Sequence, residues 1–238
     1  MIRFDFRRLV TAARSELGAT AALLIVAVGG WGFLSIADEV AEGETRAIDL
    51  SVLRALRVDG QPHALVGPKW LHIAATDVTA LGSVTVLGLL ILLAFALLAS
   101  LRRWTEGLLL VAGAGGGLII SQTLKRVFER ERPDLDYRAV EAVNASFPSG
   151  HAMLSAVVFL TLGVLAARFA DKRRVKVLAV GAAVLVSLLV GLSRVYLGVH
   201  WASDVLAGWC VGAAWAMACW LAAFVVQRRL KRPSTLTA

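Results

Sequence analysis

Five stretches of the chain, 18–37, 80–100, 107–124, 177–193 and 205–226, hold no charged side chain, and a sixth, 152–170, is interrupted only by Arg168 near its end. Each approaches the roughly 20 residues that an α-helix needs to cross a bilayer core. The expected fold is therefore all-α, a bundle of six transmembrane helices. Composition agrees, because 58% of the 238 residues are hydrophobic and the mean hydropathy of +0.73 lies far above that of an ordinary soluble domain. No repeat, low-complexity stretch or second-domain boundary interrupts the chain, so residues 1–238 read as one integral membrane domain.

The first run follows Arg3, Arg7, Arg8 and Arg14 and has the outline of a signal peptide. Its length exceeds the roughly 7–15 apolar residues of such segments and no clear small-x-small cleavage site follows, which favours an uncleaved anchor helix. Cys210 and Cys219 are nine residues apart in the last run, too far along one helix for a disulfide, and carry no information on redox compartment.

A net charge of +8 raises the question of nucleic acid, and its distribution answers it. With both termini in the cytoplasm, 15 of the 25 Lys and Arg residues fall on the cytoplasmic side, among them Arg102, Arg103, Lys172, Arg173, Arg174 and Lys176. That side then carries +11 and the other −3. The bias follows the positive-inside rule and reads as an orientation signal and a contact with anionic lipid, with no nucleic-acid partner. The expected location is the cytoplasmic membrane, crossed several times.

Between the first two runs, residues 38–79 make the longest polar connection. Within it Ile48, Val52, Leu53 and Leu56 recur at helical spacing beside Asp49, Arg54 and Arg57, as in a short helix lying on the outer surface or a packed loop with one amphipathic turn. Trp70 would anchor nearby. Gly113, Gly115, Gly116 and Gly117 in the third run read as a helix-packing face, since no strand precedes them to form a phosphate-binding loop.

Three polar blocks flank these runs: Lys125 to Arg132-Pro133, Pro148-Ser149-Gly150-His151, and Ser193-Arg194 to His200 and Asp204. The topology set by charge brings all three to one face, extracytoplasmic. Ionisable groups at membrane depth are costly, so their convergence favours function. Phosphate-ester cleavage needs neutralised phosphoryl oxygens, and Lys125, Arg132 and Arg194 supply three cations without a metal. Ser149 and the N–H groups at Gly150 add donors at a predicted helix N-terminus. His200 is the candidate nucleophile, because Asp204 lies one helical turn on and can accept the Nδ1 proton, leaving Nε2 free. His151 would protonate the leaving alkoxide and later activate water.

Each of these residues taken alone has a plainer reading. A single histidine at a membrane face is more often interfacial, Pro-Ser-Gly leads into many helices, and Lys125 and Arg132 can snorkel to headgroups. His63 and His72 keep that plainer reading. No pair of histidines has metal-ligand spacing, so no metal site and no cofactor are expected.

Together the blocks, Lys125-x6-Arg132-Pro133, Pro148-Ser149-Gly150-His151 and Ser193-Arg194-x5-His200-x3-Asp204, resemble the signature of the type 2 phosphatidic acid phosphatase superfamily at every fixed position. The resemblance covers 125–204 and implies the helical core shared with the haloperoxidases. It implies a phosphohistidine at His200 assisted by Asp204, His151 as acid and base, and Lys125, Arg132, Ser149, Gly150, His151 and Arg194 around the phosphate. Metal-free action on lipid phosphates such as phosphatidic acid, phosphatidylglycerol phosphate or undecaprenyl diphosphate follows. A phosphotransferase using the same intermediate, and a lipid-binding or transport protein that only holds a headgroup, are the alternatives. The six apolar runs speak against a soluble haloperoxidase. Oligomeric state and the shape of the 134–147 loop are left open by the sequence.

Overall fold

A computed structural model describes residues 6–230, with side chains from 17 to 228. Arg3, Asp5, Lys231 and Arg232 of the charge argument lie outside the described residues, as do the side chains of Arg7, Arg8, Arg14, Glu16 and Arg229. Eight α-helices account for most of the chain: α1 Phe6–Glu42, α2 Arg46–Ala55, α3 Lys69–Ala80, α4 Val84–Ser100, α5 Trp104–Phe128, α6 Gly150–Phe169, α7 Arg173–Tyr196 and α8 Ala202–Leu230. Five are long and apolar enough to cross a membrane, namely α1, α5, α6, α7 and α8. A bent pair is apolar enough to make a sixth candidate span, with α3 and α4 meeting at 53° across Leu81, Gly82 and Ser83. The expected second helix began only at residue 80, so the structure places the whole of α3, Lys69–Ala80, before it.

Helix α6 is central, with neighbours in α4, α5, α7 and α8, while α1 lies along α8 at the periphery. Half of the apolar window of α6 is buried within the protein, against 6% for α1, so the remaining apolar surface of α1 is what a spanning helix shows to lipid. The glycine face of α5 is a packing face. A Cβ on Gly116 would lie 2.5 Å from the Trp215 ring, and the Trp215 indole donates to the Gly113 carbonyl at 2.8 Å. Small residues thus let the α8 tryptophan reach the α5 backbone. Cys210 and Cys219 are both free thiols of α8.

The long outer connection does contain the amphipathic helix, α2, but its polar face is turned inward at one point: Asp49 is buried at 2% exposure beside Leu53. After α2 comes a two-stranded antiparallel hairpin, β1 Arg57–Val58 and β2 Gln61–Leu65, an addition to the all-α expectation. Arg57 staples it down, donating to the carbonyls of Leu56 (3.0 Å), Tyr196 (3.1 Å) and Tyr137. The outer connection, the outer loop and the end of α7 are thereby held together.

Candidate active site

The turn between α7 and α8 delivers His200. Gly198 sits there at φ +70°, and a Cβ on it would come within 2.0 Å of the Tyr137 carbonyl oxygen; only glycine tolerates both demands. The imidazole is turned inward, 2% exposed. Asp204, in the first turn of α8, is fully buried, and both of its oxygens are engaged. Oδ1 accepts from Arg130 Nη1 at 2.6 Å. Oδ2 accepts from the Trp201 N–H at 2.9 Å and from the Ser146 hydroxyl, and faces His200 Nδ1 at 3.4 Å. The expected His200–Asp204 pair is therefore present but long for a hydrogen bond.

The other ring nitrogen decides the tautomer. Arg132 Nη1 lies 3.1 Å from His200 Nε2, and a guanidinium only donates. Nε2 is thus the lone-pair nitrogen and the proton resides on Nδ1, facing Asp204. Burial pushes the imidazole pKa down to about 3; Asp204 opposes the shift, and the charges of Arg132 and Arg194 add to it. The ring is neutral near pH 7, as a nucleophile must be.

Around Nε2 lies a cavity of about 280 Å³ whose walls include Lys125, Arg132, Gly150, His151, Arg194 and His200. Three blocks distant in sequence meet there, as their shared face required. Ser149, the residue before α6, is fully buried, and its Oγ has no protein partner; nor has Arg194 Nε. Buried donors without acceptors are rare in folded proteins, and the unpartnered Arg194 Nε belongs to a residue of the cavity wall, where it fits an anion. Lys125 and Arg132 meanwhile hold the outer loop by its backbone. Lys125 Nζ donates to the Ala145 carbonyl at 2.6 Å. Arg132 donates to the carbonyls of Asn144 (2.9 Å), Val143 (3.1 Å) and Val199 (2.6 Å).

Residues outside the three blocks support this arrangement. Arg130 Nη2 donates to Asp49 Oδ2 at 2.7 Å and to Thr45 Oγ1 at 3.0 Å, while its Nη1 bonds Asp204. Asp49 in turn accepts from the Ser203 N–H (2.9 Å) and hydroxyl (2.6 Å). The amphipathic helix is thus wired to the aspartate beside His200. The broken span contributes as well: Thr79 Oγ1 accepts from Arg194 Nη1 at 3.1 Å. A Cβ on Gly82 would lie 3.2 Å from the His151 ring and 2.4 Å from Val190. No group of three or more His, Cys, Asp or Glu residues able to hold a metal occurs among the described residues.

Residues 105–228 match the PAP2 superfamily, slightly more than half the chain. Phosphatidylglycerophosphatase B of Bacillus subtilis is 32% identical over 183 residues, which cover 76% of this chain and 85% of that protein. The chain belongs to the PAP2 superfamily. Another similar sequence, the decaprenylphosphoryl-5-phosphoribose phosphatase of Mycobacterium tuberculosis, is 35% identical over 132 residues, 53% of this chain and 67% of its own length. Among solved structures, a transmembrane PAP2 type phosphatidylglycerolphosphate phosphatase from Bacillus subtilis superposes with a TM-score of 0.72 at 28% identity, covering 90% of this chain and 98% of that one. The PAP2 helical arrangement thus extends beyond the matched segment to include α1 to α4.

Proposed function

We propose that this PAP2 protein is a membrane lipid phosphatase that works through a phosphohistidine at His200. The observation that carries the reading is the lone pair of His200 Nε2, held at a cavity ringed by Lys125, Arg132, Arg194 and His151. Nε2 attacks phosphorus, the P–O bond to the lipid breaks, and the departing alkoxide takes a proton from His151. Asp204 accepts the hydrogen bond from Nδ1 as charge grows on the ring. His151 then draws a proton from water, whose oxygen attacks phosphorus; the P–N bond breaks, and phosphate leaves with His200 restored. Lys125, Arg132 and Arg194 neutralise the phosphoryl oxygens, which are more highly charged in the transition state.

Substrates in this reading are lipids bearing a terminal phosphate, with phosphatidylglycerol phosphate and undecaprenyl diphosphate the leading classes; the name of the similar Bacillus enzyme supports the first. The tail stays in the bilayer while the headgroup enters between helices. We place the site on the extracytoplasmic side and both termini in the cytoplasm, on the strength of the charge bias.

Purified protein in detergent should release inorganic phosphate from such lipids with no acceptor other than water. His200→Ala should abolish release, and rapid quench into base, in which the phosphoramidate bond survives, should recover label on His200 in the wild type. Release at the normal rate by His200→Ala would sink the mechanism. Phosphate release only when a lipid alcohol is added would assign the protein to phosphotransfer instead.

A further inference from the structure

We infer that Ser121 is a further substrate-binding residue: its hydroxyl donates a hydrogen bond to a non-bridging phosphoryl oxygen of the lipid phosphate, beside Lys125 and the first turn of α6. The inference rests on the phosphatase reading above and extends the phosphate cradle to a residue outside the three sequence blocks.

Ser121 lies on α5 one turn before Lys125, so both side chains leave the same helix face. It is 1% exposed, lines the cavity with His151, Arg194 and His200, and its Oγ has no partner in the protein. That state is unusual for a helical serine, which can return its proton to a carbonyl three or four residues back. The serines buried in α6 and α7 do so: Ser155 bonds Ala152 O at 3.1 Å, Ser187 bonds Ala183 O at 2.9 Å, and Ser193 bonds Val190 O at 2.7 Å. Ser121 instead points across to α6, its Oγ 3.4 Å from where a Cβ on Gly150 would project, with Lys125 Cε 3.7 Å from the same point. Glycine at 150 therefore leaves open the space into which the hydroxyl, the lysine and the α6 N-terminus all face. A buried hydroxyl without an acceptor costs free energy, and the dianionic headgroup is the acceptor that the site is built to admit. With Arg194 Nε, it makes a second unsatisfied donor among the residues of one cavity.

Ser121→Ala and, as a control, Ser155→Ala would be compared with the wild type as full chains in detergent. Two readouts are taken: kcat/KM for phosphate release from phosphatidylglycerol phosphate, and thermal stabilisation by orthovanadate, which mimics the five-coordinate phosphoryl group and needs no turnover. Loss of one hydrogen bond to a charged acceptor predicts a fall of about tenfold to a hundredfold in kcat/KM and a comparable weakening of vanadate binding for Ser121→Ala alone. The melting temperature without vanadate should be unchanged or raised, since an unpaired buried hydroxyl has been removed. Vanadate binding and kcat/KM within twofold of the wild type would overturn the assignment. So would a fall in the vanadate-free melting temperature with vanadate affinity intact, the mark of a structural serine. A wild type that binds vanadate but hydrolyses no lipid phosphate would defeat the phosphatase reading, while the vanadate arm would still decide Ser121.

Discussion

Arg130 stands between two buried carboxylates, one on the outer helix α2 and one at the root of the candidate nucleophile. Its two Nη atoms serve different partners, a task that the single ammonium of lysine cannot divide. Arg130→Ala should lower kcat by about tenfold to a hundredfold with a smaller change in KM, since hydrogen bonds to charged groups contribute about 1.5–3 kcal/mol; Arg130→Lys should recover only part, and steady-state kinetics of the three proteins checks both. His200 supplies a prediction for pH. Its folded pKa of about 3 lies below the roughly 6.5 of an unfolded histidine. Between these values the unfolded chain binds a proton that the folded one refuses, so this contribution to stability is full above about pH 6.5 and lost as pH falls toward 3. Melting temperatures at pH 7.5 and 4.5 should therefore diverge more in the wild type than in His200→Gln. The eight motif positions that would act on phosphate were legible in the sequence because the chemistry dictates their residue types. Arg130 was not, since nothing in Arg126, Glu129, Arg130 and Glu131 marks one charge as buried, and its partner Asp49 lies 81 residues away in a turn that reads as solvated.

At the level of elements, hydropathy found the spans and missed the break in one of them. The run beginning at 80 excluded α3 because Lys69, His72 and Asp77 interrupt its apolar pattern, although α3 and α4 together pass as one bent candidate span. The bend has local causes: Ser83 caps α4 by accepting from the Val86 N–H at 3.2 Å, and α3 ends three residues earlier, at Ala80. It also has a use, since the break brings Gly82 against His151 and Thr79 against Arg194. Gly82→Ala should force His151 or Val190 to move and lower kcat, with Gly82→Val worse still. Overpacking of this kind costs typically about 1–3 kcal/mol, so the melting temperature should fall as well. A variant with unchanged kcat would show that the broken span does not position the histidine. A short amphipathic helix was one of two readings of the segment around Ile48 to Arg57, and α2 realises it; its inward aspartate was not foreseen, because amphipathic periodicity reports which face is apolar and cannot report which polar group the fold will bury.

For the whole molecule, the decisive fact is that the helical bundle brings three short polar segments to one cavity. Lys125, Arg132 and Arg194 line the cavity together with a single carboxylate, Glu141, and can neutralise a phosphate themselves, so phosphate release should persist undiminished in excess EDTA; loss of activity restored by one added divalent cation would refute the metal-free reading. Cysteines placed at Leu135 and at Arg102, on opposite sides in the proposed topology, should differ in labelling by a membrane-impermeant thiol reagent applied to intact cells of a strain expressing each variant. Labelling at Arg102 alone would invert the orientation. The carbonyls of Val143, Asn144 and Ala145, held by Arg132 and Lys125, carry one further consequence. Inorganic phosphate is the smallest and most densely charged species the site would meet, and three naked cations at membrane depth would retain it as a self-made inhibitor. Three peptide dipoles waiting to reclaim two of those cations, Arg132 and Lys125, give the product a competitor that never diffuses away, so turnover need not stall on the ion it creates.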